Sequence, residues 1–390
     1  MKILLAFDKF KSAISADAAC DAAADGVHRA LGARDTVLAR APLTDGGEGF
    51  CRILTEAANG RLEFHKVSGP LGGTLDAPLG WVERENLPKR VSDYLPEHPG
   101  RVALIEMATA AGLDQVPPAR RHPRNCTTRG VGELIKIAGD QQAGAILIGI
   151  GGSATSDLGF GALEALGLQF GKNPGITPKH WPELAAISGS VDPALPPVYI
   201  ACDVENPLCG PNGAAQVYGP QKGLSPHEAP QFDAEAERLA EMLCTHLERP
   251  FSMMEEAGSG AAGGLGFGLR VACNARYLPG FRLVTAWLDL SSKVRAADLI
   301  LTGEGKYDMS SLSGKGPYAL LELAHAANKP ALLFAGATDA EAVTKTRRRF
   351  PAAFVHCITP AGYPLKQALE EAPERLKQKI AEVLRGRMQQ

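Results

Sequence analysis

Eight short apolar runs punctuate the chain: Ile3–Phe7, Thr36–Ala41, Val102–Ile105, Ala145–Ile150, Val198–Ala201, Leu299–Leu301, Ala331–Phe334 and Ala353–Cys357. A strand apolar on both faces needs cover on both faces, which parallel sheets obtain from helices packed above and below. Strand-like runs that alternate with helical text therefore specify an α/β protein. The first helix is legible in detail. Ser15 can cap it, Asp17 suits the positive end of its dipole, and Cys20, Ala23, Val27, Ala30 and Leu31 recur at helical spacing before Gly32. Near the other end Pro373 fits a first helical position, Leu376, Ile380, Val383 and Leu384 form one apolar face, and Gly386 is the expected stop.

At 390 residues the chain is long for one core. Both ends read as strand and helix alternating, so two α/β domains are expected, one a Rossmann-like parallel sheet built from both chain ends. Residues 1–70 with 290–390 would form that domain and 71–289 the second. The stretches 70–100 and 171–197, rich in Gly and Pro, read as crossovers or an inserted hairpin.

A content of 45% hydrophobic and 22% charged residues is ordinary for a globular protein, and a net charge of −2 argues against a broad nucleic-acid footprint. Eight cysteines without CxxC or zinc-ligand spacing read as reduced thiols. The opening apolar run is too short for a signal-peptide core, and no stretch approaches a membrane span. A soluble, cytoplasmic protein with no membrane partner is the expectation.

In open parallel sheets ligands gather at the carboxyl ends of strands. Acids mark those ends: Asp8, Asp45, Glu106, Asp203 and Glu304. Each alone would serve as a cap or turn residue. Several together suggest a cation such as Mg²⁺, which takes one or two carboxylates along with substrate phosphates. Glycine-rich loops accompany them at 45–49, 149–155, 258–268 and 302–308, where backbone N–H groups can approach an anion. Candidate cations are Lys9, Lys11, Arg129, Lys222, Lys306 and Lys315.

Gly149, Gly151 and Ala154 match the dinucleotide fingerprint, but "LQFGKN" stands where its ribose-binding acid belongs. None of the Gly-Lys pairs completes a Walker A loop, and no protein-kinase set or G-x-S-x-G elbow is present. Phosphoryl transfer on an unrelated loop design stays open, because that chemistry is mainly positioning and charge neutralisation.

The segments "FDKFKSAISA", "TDGGEG", "VSGPLGG", "ALIEMATAAGL", "TTRGVGELI", "GIGGSATSDLG", "DVENPLCGPNGAAQVYGPQKG", "GSGAAGGLGFGL" and "LILTGEGKYDMSSLSGKGP" resemble, in order and over nearly the whole chain, the type I bacterial glycerate kinases. The resemblance implies ATP-dependent phosphorylation of D-glycerate, a metal such as Mg²⁺, and two α/β domains with the active site in the cleft between them. The 2-phosphoglycerate product is implied by the resemblance alone. The family pattern near the N-terminus is Asp-Ser-Phe-Lys-Gly, where this chain has Asp8-Lys9-Phe10-Lys11-Ser12, and Arg129 replaces a common aromatic.

On that basis Gly149, Gly151, Gly152, Ser153 and Thr155, with a following helix N-terminus, are expected to cradle ATP phosphates. Gly303, Lys306 and Lys315 join them, and Asp203 and Glu304 are the expected metal ligands. The hydroxyl proton falls to Asp203 or Asp308, with Asp8 and Asp45 next. The glycerate carboxylate is assigned to Lys11 or Arg129, with Glu106 and Asn206 also on the substrate side. A 3-phosphoglycerate-forming kinase, an NAD-dependent hydroxy-acid dehydrogenase and a two-lobed binding protein are the alternatives.

Overall fold

The structure is a computed structural model; it describes residues 1–32, 36–95, 100–171, 174–313 and 316–388. Among these the strands are β1 (Lys2–Phe7), β2 (Val37–Arg40), β3 (Arg61–Ser68), β4 (Thr74–Val82), β5 (Val102–Glu106), β6 (Ala145–Gly149), β7 (Leu168–Phe170), β8 (Ile187–Gly189), β9 (Val198–Ala201), β10 (Arg276–Leu278), β11 (Leu299–Tyr307), β12 (Ala331–Thr338) and β13 (Ala353–Cys357). All eight apolar runs became strands. The chain divides into two units, one of Met1–Asp45 with Val284–Gln390, the other of Gly46–Leu283.

The first unit holds a five-stranded sheet in the order β13-β12-β11-β1-β2, parallel throughout. Its inner strand β1 is sealed from water, with Ile3 to Phe7 at 0% exposure. The helix Ala16–Leu31 starts where Ser15 Oγ accepts the Ala18 N–H at 3.3 Å and ends at Gly32, whose φ of 75° only glycine adopts readily. The C-terminal helix Ala372–Met388 buries Leu376, Ile380 and Leu384 in the same core, each burial worth about 1.5–3 kcal/mol. Gly386 does not stop it: packing along the apolar face outweighs the cost of about 1 kcal/mol for a helical glycine. The two helices meet at Gly26, where a Cβ would lie 2.7 Å from the Lys377 carbonyl oxygen.

The second unit has a six-stranded sheet ordered β10-β9-β6-β5-β4-β3 and a separate β7-β8 pair. The strands β10, β9, β6 and β5 run parallel, whereas β4 is antiparallel to both β5 and β3. Helix Phe50–Ala57 packs on this sheet, and β3 pairs with β4 from Arg61 opposite Trp81 to Ser68 opposite Thr74. For that reason the first boundary falls at residue 45 rather than 70, and the return falls at 283 rather than 289. The stretch before residue 70 therefore belongs to the second unit, as half of a hairpin whose "RLEFHKVS" strand is too polar to read as doubly covered. Among the described residues no helix is long and apolar enough to cross a membrane.

Close helix contact at Gly26 yields a paired prediction. Gly26→Ala should cost about 1–3 kcal/mol in chemical denaturation, despite alanine's better helix propensity, because backbone must move. Gly386→Ala, whose Cβ would meet nothing within 4 Å, should be neutral or stabilise by up to about 1 kcal/mol.

Candidate active site

In the first unit, parallel pairing puts Phe7 of β1 beside Gly303 of β11, so the next residues, Asp8 and Glu304, emerge side by side at the sheet's carboxyl edge. The Asp8 N–H donates to the Gly303 carbonyl at 2.9 Å, and its carboxylate accepts the Lys9 N–H at 2.7 Å. Glu304 Oε1 is buried without a hydrogen-bond partner. Burial pushes this acid up to about 8 against the lowering hydrogen bond from Ser311, and the negative charges of Asp8, Asp308 and Asp45 add lesser upward shifts. Asp45 lies 4.0 Å from Lys9 Nζ. Gly303 is confined by strand pairing, since a Cβ there would lie 2.0 Å from the Phe334 carbonyl oxygen.

Asp308 is tied down locally. Ser310 Oγ donates to it at 2.6 Å and the Ser310 N–H at 2.9 Å, while Lys306 Nζ pairs with it at 2.9 Å. Those bonds, the Ser310 hydroxyl above all, hold its acid down to about 2. A carboxylate so stabilised in its charged form is a weak proton acceptor, which counts against the catalytic expectation for it. Lys306 is spent on the same pair, and Lys315 lies outside the described residues. Lys11 is exposed, on the turn closed by the Phe10–Ile14 bridge. That turn lies against β11: a Cβ on Gly305 would sit 3.0 Å from the Lys11 nitrogen.

In the second unit Asp203 follows β9, half-buried, and its Oδ2 accepts the Phe281 N–H at 2.7 Å at the start of helix Gly280–Trp287. Three residues expected on the substrate side have partners within the protein. Glu106, 4% exposed, accepts the Cys51 N–H at 3.2 Å and so caps helix Phe50–Ala57, whose own N-cap Gly49 has no side chain to do it. Arg129 binds Glu133 at 3.1 Å and Glu164 at 2.6 Å. Asn206 donates to the Asn212 carbonyl and accepts from the Tyr218 hydroxyl, knitting its own loop.

The glycine turn after β6 is also framework in large part. A Cβ on Gly149 would lie 2.5 Å from the Gly46 carbonyl oxygen, and one on Gly151 2.6 Å from Gly47 Cα. These glycines let two loops of one unit touch, leaving no room for a pyrophosphate between them. Only Gly152, exposed at φ 75°, and half-buried Ser153 remain at the tip. Thr155 is fully buried. The helix that follows, Phe160–Ala165, starts beyond a longer loop, and Asp157 already receives the N–H groups of Gly159 and Gly161, each at 3.2 Å. A phosphate would have to displace that carboxylate. The expected helix-dipole cradle is therefore filled from within.

Lys222, a cation the sequence suggested for ligand binding, is 1% exposed and donates to the Thr155 carbonyl at 2.6 Å. Burial pulls its ammonium down, while the buried carboxylate of Asp157 opposes that shift. Glu133 and Asp157, which bind Arg129, Ser68, Thr128 and the Gly159 and Gly161 N–H groups, were not singled out from sequence; Asp157 lies two residues before the N-cap Gly159.

Among the described residues no three histidine, cysteine or carboxylate side chains are gathered so as to hold a metal by themselves. The buried, unpartnered Glu304 oxygen amid like charges does fit a divalent cation completed by phosphate and water. Its strain is measurable without one. An acid raised from 4.5 to about 8 favours folding fully below 4.5, and that contribution is lost as pH rises through 8. In chelator, Glu304→Gln should thus exceed wild type in stability by a margin that grows from pH 4.5 to 8 and reaches about 2–4 kcal/mol. Equal stability at pH 8 would show that Glu304 is not strained.

A sequence profile of the Glycerate kinase family matches residues 3–387. The chain is 36% identical to "Glycerate kinase" of Haemophilus influenzae, over 97% of this chain and 94% of that one, and 37% identical to "Glycerate kinase" of Bacillus subtilis, over 98% and 97%. It is also 36% identical to "Glycerate 2-kinase" of Escherichia coli, over 86% of this chain and 85% of that one. A crystal structure of a Salmonella typhimurium LT2 protein designated glycerate kinase 2 superposes with a TM-score of 0.75 at 35% identity, covering 100% of this chain and 98% of that one. With an α/β fold shared along its length, the chain belongs to the glycerate kinase family and is a kinase.

Proposed function

We propose that the protein transfers the γ-phosphoryl group of ATP to the 2-hydroxyl of D-glycerate, assisted by Mg²⁺. The observation that carries this reading is the buried, unpartnered oxygen of Glu304, which emerges beside Asp8 and feels the charges of Asp308 and Asp45, in a chain of this family. Glu304 with Asp8 or Asp45 would hold the metal. Mg²⁺, when bound, supplies charge neutralisation on the phosphoryl group, the largest requirement of this chemistry. The name of the Escherichia coli relative, a glycerate 2-kinase, supports the 2-position.

The protein's own residues do the rest. Asp203, oriented by the Phe281 N–H, accepts the proton of the attacking hydroxyl. Lys11, exposed on its turn, receives the substrate carboxylate in place of Arg129, whose guanidinium is committed to two glutamates. Gly152 and Ser153 at the loop tip offer the nucleotide phosphates their remaining hydrogen bonds.

Incubation with ATP, Mg²⁺ and D-glycerate, read by ³¹P NMR, should give ADP and 2-phosphoglycerate. A 3-phosphoglycerate signal would overturn the regiochemistry, and unconsumed ATP the reading itself. Asp203→Asn, which keeps an oxygen for the Phe281 N–H, should lower kcat by roughly 10²–10⁴-fold with an unchanged melting curve. Asp308→Asn should stay within about tenfold of wild type, since that carboxylate is tied to Ser310 and Lys306. The reverse order of the two effects would transfer the proton to Asp308.

A further inference from the structure

Strand β3 closes one side of the second unit's sheet; among the described residues no strand pairs with its outer edge, where the Ser68 N–H at its end is taken by Glu133 at 2.7 Å. At eight residues it is the longest outer strand: β10 has three, β2 four and β13 five. A long edge of unpaired N–H and C=O groups is a template for another strand unless it is short, bulged or covered. The edge also carries Phe64, 67% exposed. Phe64 stands opposite Pro78 of β4, with Leu62 and Lys66 on the same face of the sheet.

The strand's sequence is complementary to itself. We propose that two copies of the chain join edge to edge along β3, antiparallel, about a two-fold axis at Phe64. An isologous pair of this kind sets Phe64 against the other copy's Phe64 and Glu63 against its His65, twice by symmetry. Leu62 then meets Lys66 and Arg61 meets Val67, so no like charges face one another. Neighbouring registers do worse. An axis at Glu63 opposes two glutamates and sets Arg61 against His65, and one at His65 opposes two histidines and puts Phe64 against Lys66. An axis at Leu62 pairs Arg61 with Glu63 but engages only residues 61–63 of the strand and leaves Phe64 opposite Gly60. The Phe64 axis alone uses 61–67 without repulsion. Main-chain hydrogen bonds would supply affinity and the aromatic pair a centre.

Sedimentation velocity on the full chain, from roughly 1 to 100 µM, tests this. The wild type should sediment as a dimer at the upper end. Phe64→Asp, at an exposed position that should leave the melting curve unchanged, should raise the dimer dissociation constant roughly a hundredfold. Register is read separately by oxidative cross-linking. Phe64→Cys should form a disulfide with itself across the axis, where paired Cα atoms lie about 4.5–5.5 Å apart. Lys66→Cys and the wild type, with its eight native cysteines, should not cross-link. A wild type monomeric throughout, or a dimer indifferent to Phe64→Asp, would overturn the proposal. So would a disulfide formed by Lys66→Cys but not by Phe64→Cys.

Discussion

The register of two parallel strands is the constraint on which the chemistry depends. Hydrogen bonding of β1 to β11 sets Phe7 beside Gly303, and one residue further along each strand is an acid. Neither Asp8 nor Glu304 can leave the other without breaking the ladder of a sheet whose inner strand β1 is sealed from water. Like charges that share a half-buried place raise the cost of ionising both. Under the proposed function such a site is usable because the co-substrate arrives with a cation. The fold pays in stability for a carboxylate it does not need, the pattern expected of groups kept for function rather than packing.

The same sheet logic explains why the acids differ in role despite equivalent places in the sequence. Asp8, Asp45, Asp203, Glu304 and Glu106 all stand at or near the end of an apolar run. Glu106 is fixed by the helix that begins beside it, where an N–H left bare by Gly49 finds its carboxylate. Position at a strand end selects candidates, and what packs across from them decides between ligand chemistry and capping.

Much of the fold was legible because doubly covered strands leave a strong mark: every apolar run from Ile3–Phe7 to Ala353–Cys357 is a strand, and the Ser15 cap is where the sequence put it. The β3–β4 hairpin was not, since an edge strand such as "RLEFHKVS" mixes charge with apolar residues and resembles loop text. That omission displaced the first unit boundary by 25 residues, from 70 to 45. At the site, residue type and spacing selected candidates without showing what packs against them. Arg129 and Lys222 are satisfied by partners far away in sequence, Glu164 and Thr155, which no local pattern reveals. Gly149 and Gly151 allow the close approach of another loop, and from sequence this use of glycine looks like room for a phosphate.

The central claim is that Glu304 bears the cation-dependent step of phosphoryl transfer. Its most direct test is kcat of Glu304→Gln at saturating ATP, D-glycerate and Mg²⁺, in a protein shown by thermal denaturation to be folded. A fall of roughly a hundredfold or more is expected, because an amide of the same shape keeps the packing and loses the charge. Turnover equal to wild type would contradict the assignment and return the acidic edge of the parallel sheet to a structural role.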